Sequence, residues 1–224
     1  MTYNTKSRWD ELFDLAISII NQASTNVGHR FLWSFGGGTA LMLQIDHRES
    51  HDIDLFLGDP QVLPFINPAT QGYTISRQPS DYQTDGAQVT KLIFGGVGEI
   101  DFIVCADITD APSVITEVRG QALSLETPAE IVAKKVYYRG ARLQPRDMFD
   151  IAAVAEAYGP DYLVAPLRSC GTEALKKALD VAQSADPQFV SAVIKKLMLR
   201  EKTSSLADTS QVTTAKLLEL ALIS

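Results

Sequence analysis

The sequence predicts an α+β protein in which a mixed β-sheet with flanking helices is followed by an all-helical C-terminal lobe. Short runs of β-branched and aromatic residues, separated by Gly, Pro, Asn and Asp, recur up to residue 126. From residue 127 onward, apolar residues recur at helical spacing. We therefore divide the chain into an α/β lobe that includes an N-terminal helix, residues 1–126, and a helical C-terminal lobe, residues 127–224.

The first lobe begins with an amphipathic helix. Over residues 8–24 the apolar side chains lie three or four positions apart, as in a helix that packs on a core. Residues 31–35 form a short apolar run that ends at three glycines, which predicts a buried strand. A helix over residues 39–45 and a strand over residues 52–57 follow.

The remaining strands of the sheet lie after a polar connection. Residues 58–87 are rich in Pro, Gly, Asn, Asp and Gln and predict a loop with one strand near residues 73–76. Residues 89–94 and 99–104 predict two strands of a hairpin, because a glycine-rich turn joins them. A last short strand is predicted at residues 121–125.

The helical lobe starts with a recognisable helix N-terminus. Thr127 is a good N-cap residue, Pro128 suits the first helical position, and Glu130 would complete a capping box. Gly and Pro residues, which tend to end helices, then divide the rest of the chain into several helices.

Composition limits the class of protein. The chain has 224 residues and a formal net charge of −7, which argues against nucleic-acid binding driven by overall charge but leaves room for a local basic patch. Its two cysteines, Cys105 and Cys170, do not support a disulfide framework. Neither a signal peptide nor a bilayer-spanning apolar stretch is visible, so we expect a cytoplasmic protein without a membrane partner.

The most informative feature is a glycine turn followed closely by two carboxylates. Gly37-Gly38-Thr39 begins an apolar helix, and backbone N–H groups at such a position bind phosphate. Asp52 and Asp54 share one face of a strand, while Ile53 points into the core. Two adjacent like charges repel unless a cation lies between them, and Mg²⁺ is the usual hard cation for oxygen ligands. This combination predicts chemistry on a nucleoside triphosphate.

These residues resemble the AbiEii/AbiGii-type toxin nucleotidyltransferases of the polymerase-β-like superfamily, whose signature is a glycine turn followed by Asp-x-Asp. A second block also matches. Residues 127–135, then Arg146-Asp147-Met148-Phe149-Asp150, resemble the family's lysine-bearing helix and its Arg-Asp-x-x-Asp motif. The resemblance covers roughly residues 30 to 157, and beyond them only the helical character fits.

The resemblance implies a polymerase-β-like nucleotidyltransferase fold and a Mg²⁺-dependent enzyme, with Mn²⁺ as a substitute. Such an enzyme transfers a nucleotide from an NTP to an acceptor and releases pyrophosphate; in some members the acceptor is a tRNA 3′ end. It further implies the toxin of a bacterial toxin–antitoxin or abortive-infection system, which acts in phage defence and has a cognate antitoxin protein as its partner.

The resemblance also assigns roles to individual residues. Asp52 and Asp54 are carried over as catalytic metal ligands, and Gly37-Gly38-Thr39 as part of the nucleotide site. The superfamily has a third carboxylate on a neighbouring strand. Asp101 is the natural candidate for this metal ligand, with Glu99 on the same strand face as the alternative.

The second block contains the basic side chains that would contact the triphosphate. Lys135 is the candidate catalytic lysine, although the adjacent Lys134 stays open, and Arg139 is a further nucleotide-binding candidate. Asp147 is catalytic by carry-over, either orienting Lys135 or acting as a base near the acceptor hydroxyl. Asp150 would serve as a structural partner of Arg146 or a lysine. Arg48, which lies just before the Asp52 strand, is a candidate for contact with phosphate.

Three other functions compete with this interpretation. Phosphatases of the haloacid-dehalogenase type also use Asp-x-Asp, but they have an apolar strand before the first Asp, where this chain has Arg48-Glu49-Ser50-His51. Glycosyltransferases use Asp-x-Asp without the preceding glycine turn. The third alternative is a non-catalytic nucleotide-binding partner protein. Within the leading interpretation, the acceptor could also be a small molecule or a protein hydroxyl.

Overall fold

A mixed β-sheet dominates the first part of the chain in the computed structural model, which describes residues 6–223. Within this range the sheet has seven strands in the order β3-β4-β5-β2-β1-β7-β6. The strands are β1 (Trp33–Gly36), β2 (Ile53–Leu57), β3 (Asp81–Thr84), β4 (Val89–Phe94), β5 (Gly98–Val104), β6 (Ser113–Val118) and β7 (Gln121–Glu126). β1 pairs antiparallel with β2 and parallel with β7, β2 pairs parallel with β5, and β3-β4-β5 is an antiparallel meander.

The register of three neighbouring strands brings charged residues into one row. Asp54 on β2 lies opposite Asp101 on β5, and Asp101 lies opposite Lys91 on β4. The alternation predicted for β2 and β5 is confirmed, because their intervening apolar side chains are fully buried: Ile53, Leu55, Ile100 and Phe102. The core on the other sheet face therefore holds the charged row in place.

Nine α-helices occur in the described range. They are α1 (Trp9–Val27), α2 (Gly37–Ile45), α3 (Pro68–Gln71), α4 (Pro128–Arg139), α5 (Pro145–Tyr158), α6 (Asp161–Ser169), α7 (Gly171–Ser184), α8 (Pro187–Ile194) and α9 (Ser210–Ile223). Short 3₁₀ helices span Pro60–Phe65, Gly140–Arg142 and Glu201–Asp208. None of the helices formed by residues 6–223 combines the length and the apolar character needed to cross a bilayer.

The chain forms two compact units that alternate along the sequence. The first unit holds the described residues up to Ala40, with Ser50–Ala106 and Val114–Leu125. The second unit holds Leu41–Glu49, Asp107–Ser113 and the described residues from Glu126 onward. In the first unit, α1 packs its apolar face on β2 and β5. In the second unit, α5 is buried from Asp147 to Ala155 and packs against α4, α6, α8 and α9.

The predicted strand at residues 73–76 is wrong, and the strand in this region is β3 instead. The backbone of Thr74 is satisfied by a side chain: its N–H donates to Gln22 Oε1 at 3.1 Å, and its carbonyl accepts from Gln22 Nε2 at 3.0 Å. A peptide group bonded in this way does not need a strand partner. A further strand, β6, is not predicted from the sequence and lies at the sheet edge beside β7.

The capping box predicted for α4 forms only in part. The Thr127 hydroxyl accepts from the Glu130 N–H at 3.2 Å, as expected of an N-cap. The Thr127 N–H, however, donates to the Pro112 carbonyl at 2.9 Å rather than to the Glu130 carboxylate. That carboxylate is buried and accepts from the backbone N–H groups of Ile108 and Thr109, both at 2.9 Å. Segments distant in sequence therefore provide the partners of the Glu130 carboxylate and the Thr127 N–H, which a capping box would have paired with each other.

Candidate active site

The glycine turn of the first unit lies directly against one of the predicted carboxylates. α2 begins at Gly37, which has a positive φ of 67°. A Cβ placed on Gly37 would lie 1.9 Å from Asp54 Oδ2, far inside van der Waals contact. Glycine is required here because it adopts this φ without strain and leaves room for the carboxylate. The buried Thr39 hydroxyl donates to the Asp52 carbonyl, which joins the turn to the start of β2.

Asp52 is anchored through one carboxylate oxygen. Its Oδ1 accepts from the backbone N–H of Glu99 at 3.0 Å. Burial raises the pKa of Asp52, and the negative charge of Asp54 raises it further. Ionised Asp52 is therefore destabilised by its surroundings, and a cation would relieve that cost.

Asp101, the predicted third carboxylate, lies opposite Asp54 in the sheet. Its Oδ2 is 3.1 Å from Lys91 Nζ, whereas its Oδ1 is buried without a hydrogen-bond partner. Burial, followed by repulsion from Asp54, raises the pKa of Asp101 to about 7. A buried carboxylate oxygen without a partner is costly, so the site favours a ligand for it.

Lys91 is the charged residue of this cluster that sequence reasoning missed. Its ammonium contacts Glu99 as well as Asp101, and these carboxylates raise the pKa of Lys91 although burial opposes the shift. The predicted hairpin contained the signal needed to find it. Pairing Phe94 with Gly98 across the turn places Lys91 directly opposite Asp101.

The donor chemistry of Asp52, Asp54 and Asp101 fits a hard divalent cation. Such cations prefer carboxylate oxygens as ligands. Asp101 Oδ1, which has no hydrogen-bond partner, is an oxygen that could coordinate the cation. Among residues 6–223, no set of three or more His, Cys, Asp or Glu side chains already forms a complete metal-binding cluster. In this structure the Lys91 ammonium is a positive charge that faces Asp101.

The second unit contains its own buried charge cluster around Lys135. The Lys135 ammonium lies 2.6 Å from Asp147 Oδ1 and 3.0 Å from Asp150 Oδ2. Burial opposes its charge, but the two carboxylates outweigh this effect and raise the pKa of Lys135. The pKa of Asp147 is lowered because Lys135 overcomes the effect of burial. Asp147 thus accepts from Lys135, the contact that the predicted orienting role requires, and also accepts from the Gln144 N–H at 3.1 Å.

Asp150 is bound on its other side by Arg48 and His47. Arg48 Nε donates to Oδ1 at 2.7 Å and Arg48 Nη2 donates to Oδ2 at 2.9 Å, a two-point contact. His47 Nε2 lies 2.9 Å from Oδ1. These partners, with Lys135, hold the pKa of Asp150 well below its usual value although burial acts in the opposite direction. Arg48 and Lys135 are thus the structural partners of Asp150, rather than Arg146.

The two adjacent lysines of α4 have different environments. Lys134 is buried and lies 2.6 Å from Glu126, 3.3 Å from Asp107 and 3.5 Å from Glu130. Lys135 instead contacts the two α5 carboxylates. Because successive helical residues point in different directions, only one of the pair reaches α5.

Exposed basic and aromatic residues lie beyond Lys135 on α4 and after it. Arg139 is one helical turn further along, and its Nη1 lies 3.9 Å from Asp147 Oδ1. Arg142 and Arg146 are exposed. Tyr137 and Tyr138 are also exposed, with ring centroids 4.8 Å apart. These groups form an exposed basic and aromatic stretch that follows the predicted triphosphate lysine in the sequence.

The predicted site residues therefore lie in two groups. Within the first unit, the structure brings Gly37, Asp52, Asp54 and Asp101 together, with Thr39 bonded to the Asp52 backbone and Gly38 next to it in the turn. The second unit brings Lys135, Asp147 and Arg139 together and adds Asp150, Arg48 and His47.

Comparisons with known proteins give a family match. A family model described as "Nucleotidyl transferase AbiEii toxin, Type IV TA system" matches residues 24–217. None of the curated proteins matches the chain in sequence.

Several solved structures that match the chain are remote from it in sequence. A nucleotidyltransferase structure from H. pylori has 14% identity and a TM-score of 0.48 and covers 96% of this chain and 94% of its own. The toxin MenT4 from Mycobacterium tuberculosis has 18% identity and a TM-score of 0.48, with 96% and 88% covered. ANT(2'')-Ia in complex with adenylyl-2''-tobramycin has 13% identity and a TM-score of 0.46, with 71% and 96% covered.

Proposed function

Because this chain belongs to the AbiEii family of nucleotidyl transferase toxins, we propose that it transfers a nucleotide from an NTP to a tRNA 3′ end with the help of Mg²⁺. The family makes the chain a nucleotidyltransferase enzyme and a member of a toxin–antitoxin family. The metal, the acceptor and the residue roles are our proposal. The observation that carries it is the contact between Gly37 and Asp54, beside Asp101 with its unpartnered buried oxygen.

We assign metal binding to Asp52, Asp54 and Asp101. Burial and repulsion among these carboxylates raise the pKa values of Asp52 and Asp101, so a bound Mg²⁺, or Mn²⁺ in its place, would stabilise their ionised forms. When bound, such an ion supplies Lewis-acid stabilisation of the attacking and leaving oxygens in nucleotidyl transfer.

We assign phosphate binding to two sets of groups. The backbone N–H groups of Gly37-Gly38-Thr39 open α2, and a helix N-terminus favours negative charge. The Thr39 hydroxyl is engaged by Asp52, so the contribution of this residue is its backbone N–H. Lys135 and the exposed Arg139 bind the triphosphate, with Asp147 orienting Lys135.

One exposed stretch of the chain, rather than its overall charge, supports an RNA acceptor. The net charge of −7 does not attract nucleic acid, but the exposed basic and aromatic stretch from Tyr137 to Arg146 suits a single-stranded RNA end. Single strands bind through stacking on aromatic rings and contact with Arg or Lys. A small-molecule or protein hydroxyl remains the alternative acceptor. The family description also implies a cognate antitoxin as a partner.

The decisive experiment incubates the purified protein with Mg²⁺, total tRNA and each of four labelled NTPs. Labelled tRNA should form with the wild type but not with Asp52→Asn or Asp54→Asn. Glu117→Gln, which alters an exposed carboxylate of β6, should leave the labelling unchanged. Full labelling by both Asp52→Asn and Asp54→Asn would contradict the metal site. Labelling of a protein or small molecule instead of tRNA would contradict the acceptor.

A further inference from the structure

A buried charge network in the second unit contains two residues that the proposed function leaves without a role. Its members are Arg48, Lys135, Asp147 and Asp150, two cations and two anions. We propose that Arg48 and Asp150 form a positioning pair that holds the Lys135 ammonium ready for the triphosphate. The inference rests on the triphosphate role proposed above for Lys135.

First, helix α5 provides two carboxylates that contact the Lys135 ammonium. Asp147 and Asp150 lie three residues apart and therefore on one face of the helix. Their carboxylates approach Lys135 Nζ at 2.6 and 3.0 Å. Two anchor points restrict a flexible lysine side chain far more than one. Because the side chain is already ordered in the folded protein, ligand binding does not have to meet that entropy cost.

The second step is the orientation of Asp150 itself. Arg48 contacts both carboxylate oxygens, at 2.7 and 2.9 Å, and a planar guanidinium in this geometry defines the carboxylate plane. Burial lowers the pKa of His47, and its Nε2 lies 2.9 Å from Asp150 Oδ1. Arg48 therefore keeps Asp150 ionised and aimed at Lys135.

The third step is the support for Arg48. Its neighbours are bonded to the chain near residue 200: the Glu49 N–H donates to Met198 at 2.8 Å, and the Arg200 N–H donates to His47 at 3.0 Å. The Thr203 hydroxyl also donates to the His47 carbonyl at 2.6 Å. These backbone bonds fix the segment that carries Arg48, and Arg48 Nη1 also donates to the Glu49 carbonyl at 3.1 Å. The guanidinium therefore approaches Asp150 from a segment that is held in place.

The charge balance determines which variant gives a clear answer. Asp150→Asn alone leaves an excess positive charge, which attracts any anion and masks a loss of positioning. The double variant Arg48→Gln/Asp150→Asn removes one charge of each sign. Lys135 and Asp147 then remain as a neutral pair, and the ammonium loses its charged second anchor.

The experiment measures the dissociation constants of ATP, GTP, CTP and UTP by calorimetry in Mg²⁺ for the full chain. For the tightest-binding nucleotide, Lys135→Met and Arg48→Gln/Asp150→Asn should each raise the dissociation constant about tenfold or more, the range expected for a charge-assisted contact. Glu126→Gln is the matched control, because it weakens an equally buried ion pair with Lys134 in the same unit. It should lower the melting temperature and leave nucleotide affinity unchanged.

The outcomes separate the two proposals. If Lys135→Met weakens binding and the folded double variant binds as the wild type does, the positioning pair is wrong while the triphosphate role stands. If Lys135→Met has no effect, both fail. Should the double variant not fold, Arg48→Lys decides, because it keeps the charge and loses the two-point contact. It should raise the dissociation constant by about threefold, and an unchanged value would overturn the inference.

Discussion

In the proposed metal site, close packing and burial, as well as hydrogen bonds, restrict individual residues. The Gly37 backbone lies so close to the Asp54 carboxylate that a single methyl group does not fit between them. Asp101 has a buried oxygen without a partner, and Lys91 provides a nearby positive charge. At this scale, side chains are held in arrangements that are unfavourable without a ligand, a common property of functional sites.

Gly37→Ala tests the close contact with Asp54. Gly28→Ala is the matched control, because Gly28 also has a positive φ but a Cβ there meets nothing within 4 Å. We expect the control to lose about 1 kcal/mol of stability from backbone strain alone. Gly37→Ala should lose clearly more in urea denaturation and should also abolish nucleotidyl transfer. Equal effects of the two substitutions would show that the contact is unimportant.

Asp101 should impose a characteristic pH dependence on the metal-free protein. Its pKa is about 7 in the folded chain and near 3.8 when unfolded, so the folded state binds the extra proton between these values. Its contribution to stability is therefore full below pH 4 and is lost as the pH rises towards 7. We expect Asp101→Asn to remove this loss and to stabilise the metal-free protein at pH 8 by about 1 to 4 kcal/mol.

The measurement is a series of thermal melts between pH 4 and 8, with and without Mg²⁺. Mg²⁺ should stabilise the wild type at pH 8 and should stabilise Asp101→Asn much less. Glu117→Gln, at an exposed site in the same unit, should follow the wild type in both conditions. An Asp101→Asn variant that keeps the wild-type pH profile would contradict the raised pKa.

At the scale of secondary structure, α4 performs two separate tasks. Glu130 and Lys134 bond the chain around residues 107–109 and Glu126, whereas Lys135 contacts α5. The N-terminal part of the helix therefore stabilises the second unit through buried polar contacts. Lys135, which we propose as the triphosphate lysine, lies on another side of the same helix, so the two sets of contacts can be changed independently.

Glu130→Ala should therefore destabilise the fold more than its position in a first helical turn suggests. The substitution removes acceptors for the N–H groups of Ile108 and Thr109 and for the Thr109 hydroxyl. We expect a loss of about 2 to 4 kcal/mol, since bonds to a buried charged group are lost. Glu130→Gln should lose less, because one oxygen acceptor remains.

Urea denaturation followed by circular dichroism measures this difference. Glu173→Ala is the control, because it removes an exposed ion pair with Lys177 on α7 and should change stability by less than about 0.5 kcal/mol. The prediction fails if Glu130→Ala resembles this exposed control.

At the scale of the whole molecule, charge is distributed unevenly. The chain is acidic overall, yet the exposed Arg139, Arg142 and Arg146 follow one another from α4 to the start of α5 without an acidic residue between them. An acidic protein with a local basic surface discriminates among polyanions by shape as well as charge, because overall attraction is weak.

Membership of a toxin family leads to a prediction for the intact protein in cells. Expression of the chain alone should slow bacterial growth, and Asp52→Ala should abolish the slowing because metal binding is lost. Growth curves with matched protein levels provide the measurement, and Glu117→Gln should remain as toxic as the wild type. A folded, catalytically active wild type that leaves growth unchanged would favour a housekeeping or small-molecule nucleotidyltransferase.

The sequence by itself determined those features that depend on local spacing. Alternation along β2 and β5 separated Asp52, Asp54 and Asp101 from the buried Ile53 and Phe102, and the structure confirms it. The hairpin of β4 and β5, the helix at the glycine turn and the helical second half also follow from local patterns. Two motifs in the right order were enough to recognise the family that the comparisons show.

Only the tertiary structure decided which charged groups are partners. Lys134 and Lys135 are neighbours in sequence, but Lys135 pairs with Asp150 of α5 whereas Lys134 pairs with Glu126. Asp150 also meets Arg48, which lies about a hundred residues away in the sequence. Likewise, Glu130 bonds residues 108 and 109 instead of its own helix N-terminus. Local periodicity specifies the face on which a side chain lies, whereas the partner of a buried charge depends on which distant segment packs there.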